Sequence, residues 1–474
     1  MNSWTRCKPI APAGSRSADA LPPSLSWPQL MAMGVGAIIG TGILTLIGVG
    51  VDRAGPAVLL SFVIAGAVCV FAALAYAELS AMMPAAGSAY SYAYAGLGEA
   101  FAWVVGWSLI LEYSLVVSAV AVGWSGYASP LLVGIGFPEA LTTGPELGGL
   151  INLPAIFIIA VVTALLLLGT RESARINSIL VVVKIATLLL FVGFASPHFD
   201  AGNFDPFMPF GFAPTLGDDG VPRGVMAAAA IIFFAFYGFD AISTAAEETK
   251  RPERDLPIAI IGSMAVCTLI YLLVASAAVG AAPFTQFADS PEPLALILRS
   301  IGEAGIAQLV ATTAIVALPT VLLAFLYGQS RIFLAMARDG FLPRKLALIS
   351  RRGTPTRITL ATAAVVAVLA GLLPIGQVAA LANAGTLIAF IAVGACLLVL
   401  RYRAPDAPRP FRVRPAWLVG LGTIGGCLYL FVSLPAQTLL WCLIWNVIGL
   451  CIYLFYGKRR SALGKSNGVQ GSVS

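Results

Sequence analysis

The chain has 474 residues, 59% of them hydrophobic and only 11% charged, where soluble domains carry about 25% charged residues. Its mean hydropathy is +0.92. Too few polar side chains remain to cover a water-facing surface, so a soluble globular fold is excluded and the bilayer must be the solvent. One histidine, His198, and seven cysteines with no CxxC pair argue against metal, haem and disulfide-framework chemistry. No cofactor is expected.

The first 27 residues are rich in Ser, Pro and Ala and lack the apolar core of a signal peptide. They read as a disordered cytoplasmic tail. Apolar stretches long enough for the roughly 20 helical residues that cross a bilayer then fall near 28–51, 56–80, 100–128, 152–169, 176–196, 223–246, 257–281, 305–336, 357–374, 378–400, 415–433 and 436–457. The expected fold is an all-α polytopic membrane protein of about twelve spans. A polar tail, 458–474, would close the chain.

With both termini placed in the cytoplasm, 24 of the 28 Lys and Arg residues fall in inward segments, and Arg53, Arg223 and Arg299 fall outside. The positive-inside rule therefore fixes the orientation, and the net charge of +6 is topological rather than a sign of nucleic-acid binding. The outward loops carry acidic residues, among them Asp218, Asp219 and Asp289, which read as solvating groups.

Span 1, MAMGVGAIIGTGILTLIGVG, places glycines at 34, 36, 40, 42, 48 and 50, each costing about 1 kcal/mol relative to alanine in a helix. Close packing accounts for Gly36 and Gly40, four residues apart. Gly40-Thr41-Gly42 suits a local unwinding instead. Irregular backbone is tolerated at membrane depth only where it lines a cavity or meets a ligand. A half-helix N-terminus would favour a carboxylate and freed carbonyls would favour an ammonium group, so together they complement a zwitterion.

Span 3 carries Glu112 in GWSLILEYSLVVSAVAVGWSGY, and span 5 carries Lys184 in NSILVVVKIATLLLFVGF. Lys184 lies nine residues beyond Arg175, about 13 Å along a helix, too deep to snorkel comfortably. A buried charge is costly there, so its proton can be coupled to conformation. Lys184 is the candidate proton carrier, and Glu112, with Asp240 of span 6, is a candidate site or gating group. Span 6, IIFFAFYGFDAISTAAEETKRPERDLP, sets Gly238 in an aromatic run just before Asp240. Packing with a kink, or a second interrupted helix, explains that run equally well. Two interrupted helices at matching positions, each first in a five-span half, point to a transport site near the membrane midplane.

These strings, with YGQSRIFLAMARDGFLP in span 8, resemble the bacterial branch of the cationic amino acid transporter family, in the amino acid, polyamine and organocation superfamily. The resemblance runs from about 26 to 457. It implies a LeuT-like fold of two inverted five-helix repeats, 28–197 and 222–402, plus two helices within 415–457. It also implies that Ile39, Gly40, Thr41 and Gly42 surround the α-carboxylate and α-amino groups of a substrate, with Phe236, Tyr237 and Gly238 adding contacts. Glu112 matches the family's acidic residue in span 3, and Lys184 a lysine that replaces the ion of sodium-coupled relatives. Phe325 stands where bacterial members often have Met and implies a small or apolar pocket, hence neutral amino acids. PAAGSAYSYAYAGLGE resembles an inner-gate helix, and SPEPLALILRSIGEAG its outer counterpart.

The expected function is proton-coupled amino acid uptake across a bacterial cytoplasmic membrane, with amino acid, protons and lipids as the partners. An exchanger or uncoupled facilitator of amino acids or polyamines is the alternative. Catalysis would need a convergent set of His, Cys or paired carboxylates, so no enzyme is expected. The sequence leaves an accessory membrane subunit unknown.

Overall fold

The structure, a computed structural model, describes residues 6–10, 21–217, 220–287, 290, 292–343, 345, 348–350, 354–373 and 375–464. Asp218, Asp219 and Asp289 and most of the two predicted tails lie outside them. Among the described residues, nine helices are long and apolar enough to cross a membrane, and three shorter apolar ones, Leu153–Leu168, Thr356–Leu372 and Ala416–Val432, complete the expected set.

Span 1 comprises Trp27–Ile38, Thr41–Leu44 and Leu46–Ala54, and span 2 is Val58–Met82. A short helix, Ala89–Gly96, leads into span 3, Glu99–Gly134. Spans 4 and 5 are Leu153–Leu168 and Thr170–Ala195. Span 6 is Val225–Ile232 with a tight turn at Phe233–Ala235, and it resumes at Asp240–Thr244. Span 7 is Pro252–Ala281, and a short helix, Pro293–Ser300, precedes span 8, Ala304–Ala317 and Pro319–Arg338. Spans 9 to 12 are Thr356–Leu372, Ile375–Arg403, Ala416–Val432 and Ala436–Ile452. The one sheet among the described residues is a two-residue antiparallel pairing of Thr215–Leu216 with Pro222–Arg223.

Spans 1, 3 and 6 are mostly buried, whereas spans 4, 5, 11 and 12 turn Phe157, Val182, Leu421 and Leu443 outward. That is the pattern of a central group of helices wrapped by lipid-facing ones, because lipid tails accept apolar side chains without cost. Span 1 packs against spans 5, 7 and 8, and span 3 against spans 8, 9 and 10. Span 3 runs 36 residues, about 54 Å, longer than the predicted 100–128. Its start is anchored at Glu99, which accepts from Tyr453 at 3.0 Å and from Ser461 at 2.7 Å.

The tails differ from the expectation wherever they are described. Arg6 reaches Glu99 at 3.4 Å, and Lys8 pairs with Asp339 at 2.6 Å. Leu21 and Leu25 are buried, and Ser461 of the C-terminal segment is buried against Glu99. Charge pairs and two leucines thus hold segments whose composition reads as free chain. Arg6 and Ser461 thereby meet at Glu99, so the described parts of the two terminal segments lie on one face of the bundle.

Candidate functional site

Helix geometry in span 1 stops at Ile38. Ile39 (φ −72°, ψ 98°) and Gly40 (φ −146°, ψ −147°) are extended, and the helix restarts at Thr41. The interruption therefore precedes the expected one, and Thr41 and Gly42 form the next helical turn. Gly42 serves packing as well: a Cβ there would lie 2.4 Å from Ala235 Cα on span 6. In span 6 the chain leaves the helix ahead of Asp240 through Gly238, whose φ of +120° is a conformation glycine adopts at no steric cost. A Cβ on Gly238 would stand 3.0 Å from the carbonyl carbon of Ala37. The two breaks face each other.

Breaking a helix inside a membrane frees backbone groups that must find partners. The Tyr271 hydroxyl on span 7 sits 2.6 Å from Ile38 O and 2.9 Å from Ala235 O, bridging both breaks. Lys184 Nζ donates to Gly36 O at 3.1 Å, to Ile39 O, and to Thr320 Oγ1 at 2.6 Å. Three ammonium protons thus meet three oxygens. Thr320 follows Pro319, which starts the second segment of span 8. The carbonyls expected to receive a substrate ammonium group are in this way taken by protein donors.

Asp240 is buried and organises the span 6 break: Oδ1 accepts from Gly238 N at 3.0 Å and Oδ2 from the Tyr113 hydroxyl at 2.5 Å. Glu112 is also buried, yet neither carboxylate oxygen has a hydrogen-bond partner. The Thr386 hydroxyl nearby donates to Ala382 O.

Between the breaks lies a narrow recess with a cavity volume of about 10 Å³, lined by Ala37, Ile38, Gly40, Thr41, Gly42, Val116, Val120, Phe234, Tyr237, Val321 and Phe325. Of the predicted contacts, Gly40, Thr41, Gly42, Tyr237 and Phe325 line it. Ile39 contributes its carbonyl to Lys184 instead. Phe236 points behind the break, its ring 6.0 Å from Phe62 and 5.3 Å from Tyr271. Gly238, Lys184, Asp240 and Glu112 are not among the residues that line it.

Sequence reading missed Ala37, Ile38, Val116, Val120, Phe234 and Val321, and of these Val116, Val120 and Val321 had a legible signal. Val116 and Val120 follow Glu112 at helical i+4 steps, and Val321 precedes Phe325 by four, so each pair shares a face. The only polar side chains in the lining, Thr41 and Tyr237, keep buried hydroxyls without a hydrogen-bond partner. Phe325 closes one wall, its ring 5.0 Å from Tyr113 and 6.2 Å from Tyr237. The recess is a small, apolar-walled chamber with hydroxyls and a helix start at one side.

Residues 25–455 match the family described as amino acid permease. The chain belongs to that family. The branched-chain amino acid permease BcaP of Bacillus subtilis (strain 168) is 44% identical over 444 residues, covering 92% of this chain and 93% of that protein. The methylthioribose transporter of the same organism is 40% identical over 472 residues, covering 98% and 100%. Cationic amino acid transporter 4, vacuolar, of Arabidopsis thaliana is 37% identical over 421 residues, covering 86% and 68%. The protein is thus a membrane-embedded amino acid permease of the amino acid, polyamine and organocation superfamily, a transporter and not an enzyme. Its kinship reaches both branched-chain permeases and cationic amino acid transporters without singling out the cationic branch.

On the face where Arg6 and Ser461 meet, the permease joins span 6 to its neighbours through polar contacts. Ser88, at the start of the Ala89–Gly96 helix, meets Ser243 at 2.6 Å. Arg331 donates twice to Glu248 Oε1, at 3.0 and 2.8 Å, and Arg338 pairs with Glu247 at 2.9 Å. On the opposite face, Pro293 of the Pro293–Ser300 helix packs close to Gly48 of span 1.

Proposed function

We propose that this permease takes up neutral amino acids with apolar side chains, branched aliphatic ones foremost, across a bacterial cytoplasmic membrane. Alternating access moves the substrate through the recess between the broken spans 1 and 6, within two inverted five-helix repeats spanning 28–197 and 222–402. The observation that carries this reading is the lining of the recess, where the apolar Val116, Val120, Val321 and Phe325 meet Thr41, Gly42 and Tyr237. N–H groups at a helix start favour a carboxylate, and the unpartnered Thr41 and Tyr237 hydroxyls supply further polar contacts for a zwitterion. No acidic side chain lines the recess, which disfavours a second positive charge on the substrate. The 44% identity to a branched-chain amino acid permease supports the same class.

Lys184 couples transport to protons in this reading. Its ammonium group holds Gly36 O and Ile39 O against Thr320 of span 8. Losing the proton removes one of the three donors and the positive charge from that knot and loosens span 1 from span 8. A local charge change thereby biases a two-state element. Glu112 and Asp240 act from behind the site, Asp240 by holding the span 6 break in shape.

Purified protein in liposomes tests the proposal. Accumulation of isoleucine, leucine, valine and alanine is expected under an imposed inward proton gradient, inhibited by one another and not by arginine. Accumulation insensitive to the gradient, with counterflow intact, would select the exchanger or facilitator. A second reading, transport of an uncharged thioether sugar, draws on the full-length similarity to a methylthioribose transporter and on a lining that offers hydroxyls but no charged side chain. Methylthioribose as a competitor separates the two.

A further inference from the structure

The stretch 401–414, which ends span 10 and leads to span 11, holds five arginines and a single acid, Asp406. Three of the arginines build it. Arg401 and Arg409 pair with the buried Glu78 of span 2, at 2.6 and 3.3 Å. Arg409 also donates to the carbonyls of Leu400, Ala404, Pro405 and Ala407, at 2.9, 2.8, 3.0 and 2.9 Å. Arg403 donates to Gly96 O at 3.3 Å and lies beside Cys7, on the face where Arg6 and Ser461 meet. Val413 is fixed inward, its N–H on Glu78 at 2.8 Å and its carbonyl accepting from Arg401 at 2.9 Å. Arg412 and Arg414, on either side of it, are exposed and make no hydrogen bond or ion pair among the described residues. A firmly held loop thus presents two guanidinium groups without a counter-charge.

Past Arg414, span 11 turns Trp417, Leu421, Gly425 and Leu428 outward at steps of three and four residues, which is one face of a helix. Trp417 is 63% exposed and Tyr402 89%, and such aromatic side chains settle at headgroup level. Gly425 leaves a notch in the track, because a Cβ there would meet nothing within 4 Å. Trp417 and Leu428 are eleven positions apart, about 16 Å along a helix. That is half of the roughly 30 Å hydrocarbon core, the depth of one leaflet. The distribution of Lys and Arg predicts this leaflet to be the inner one, whose anionic lipids attract basic residues. We propose that an anionic phospholipid docks here, with its phosphate on Arg412 and Arg414 and one acyl chain along span 11 over Gly425. Guanidinium groups suit a phosphate because their planar N–H forks donate paired hydrogen bonds to its oxygens. Span 11 packs on spans 2 and 10, so a lipid bound at its start stabilises that group of helices.

The test uses purified full-length protein in a neutral detergent, with long-chain phosphatidylglycerol as the probe. Binding is read as lipid retained in native mass spectra and as a rise in unfolding temperature. Arg412→Gln and Arg414→Gln are each expected to weaken retention about fivefold, the factor given by about 1 kcal/mol per basic residue at an anionic surface. The double variant should lose more than tenfold. Gly425→Leu fills the notch without touching the charge and should weaken retention as well. Phosphatidylcholine and inorganic phosphate should leave the unfolding temperature unchanged. All three positions are exposed, so the lipid-free variants should unfold at the wild-type temperature, which separates lost binding from lost folding. No retention by the wild-type protein, or retention unchanged in the double variant or in Gly425→Leu, would overturn the site. An equal loss in Arg459→Gln, an exposed arginine after span 12, would reduce it to diffuse attraction, and stabilisation by inorganic phosphate would make it a free-anion site; either contradicts the proposal.

Discussion

Lys184 carries a large share of the site's polar order, since one ammonium group ties the end of a broken helix to span 8. Lys184→Ala is expected to abolish accumulation driven by an imposed pH gradient while the purified protein still binds substrate. Uptake by the variant that still followed the gradient would remove Lys184 from coupling. Gly42 makes a different kind of contribution: a methyl group there would meet the backbone of Ala235 at 2.4 Å, where no rotamer change can give way. Gly42→Ala should cost about 1–3 kcal/mol by overpacking and abolish binding, read as a lower unfolding temperature with no stabilisation by isoleucine. Phe325→Ala opens the wall of the recess. It should widen selectivity toward bulkier side chains, at a stability cost of about 3 kcal/mol, visible when phenylalanine or tryptophan becomes an effective competitor of isoleucine uptake.

At the scale of elements, the two breaks depend on each other through Tyr271, whose hydroxyl lies within hydrogen-bond distance of carbonyls freed from both. Tyr271→Phe leaves Ile38 O and Ala235 O without that donor and should destabilise the protein by about 1–3 kcal/mol. Uptake should fall with no change in which amino acids compete. The helices themselves were legible from hydropathy, and the breaks from Gly40 and Gly238, because such glycines are costly in a helix unless the backbone uses them. What periodicity could not reveal is which groups satisfy a break. Tyr271, Thr320 and Tyr113 sit far along the sequence and meet the site only through packing. The same limit explains Phe236, which shares the aromatic run with Tyr237 but turns to the opposite side. Asp240 reads in sequence as a candidate site or gating group, and in the fold its carboxylate accepts from Gly238 N inside the span 6 break.

For the whole molecule, the distribution of Lys and Arg in the sequence predicts two cytoplasmic ends, and Arg6 and Ser461, the described residues nearest them, meet at Glu99. A fluorescent protein fused after the last residue should fluoresce in bacteria and alkaline phosphatase fused there should stay inactive, as for a cytoplasmic terminus; the reverse pattern would invert the assigned orientation. Composition disguised the tails, because Leu21, Leu25 and Lys8 find their partners only once distant spans are assembled. The central claim is that a small zwitterion sits between two interrupted helices. An experimental structure with bound isoleucine tests it most directly. The account predicts ligand density beside Thr41, Gly42 and Tyr237, with the side chain toward Val116, Val120 and Phe325. Density anywhere else in the bundle, or a continuous helix through Ile39 and Gly40 in the bound state, would contradict it.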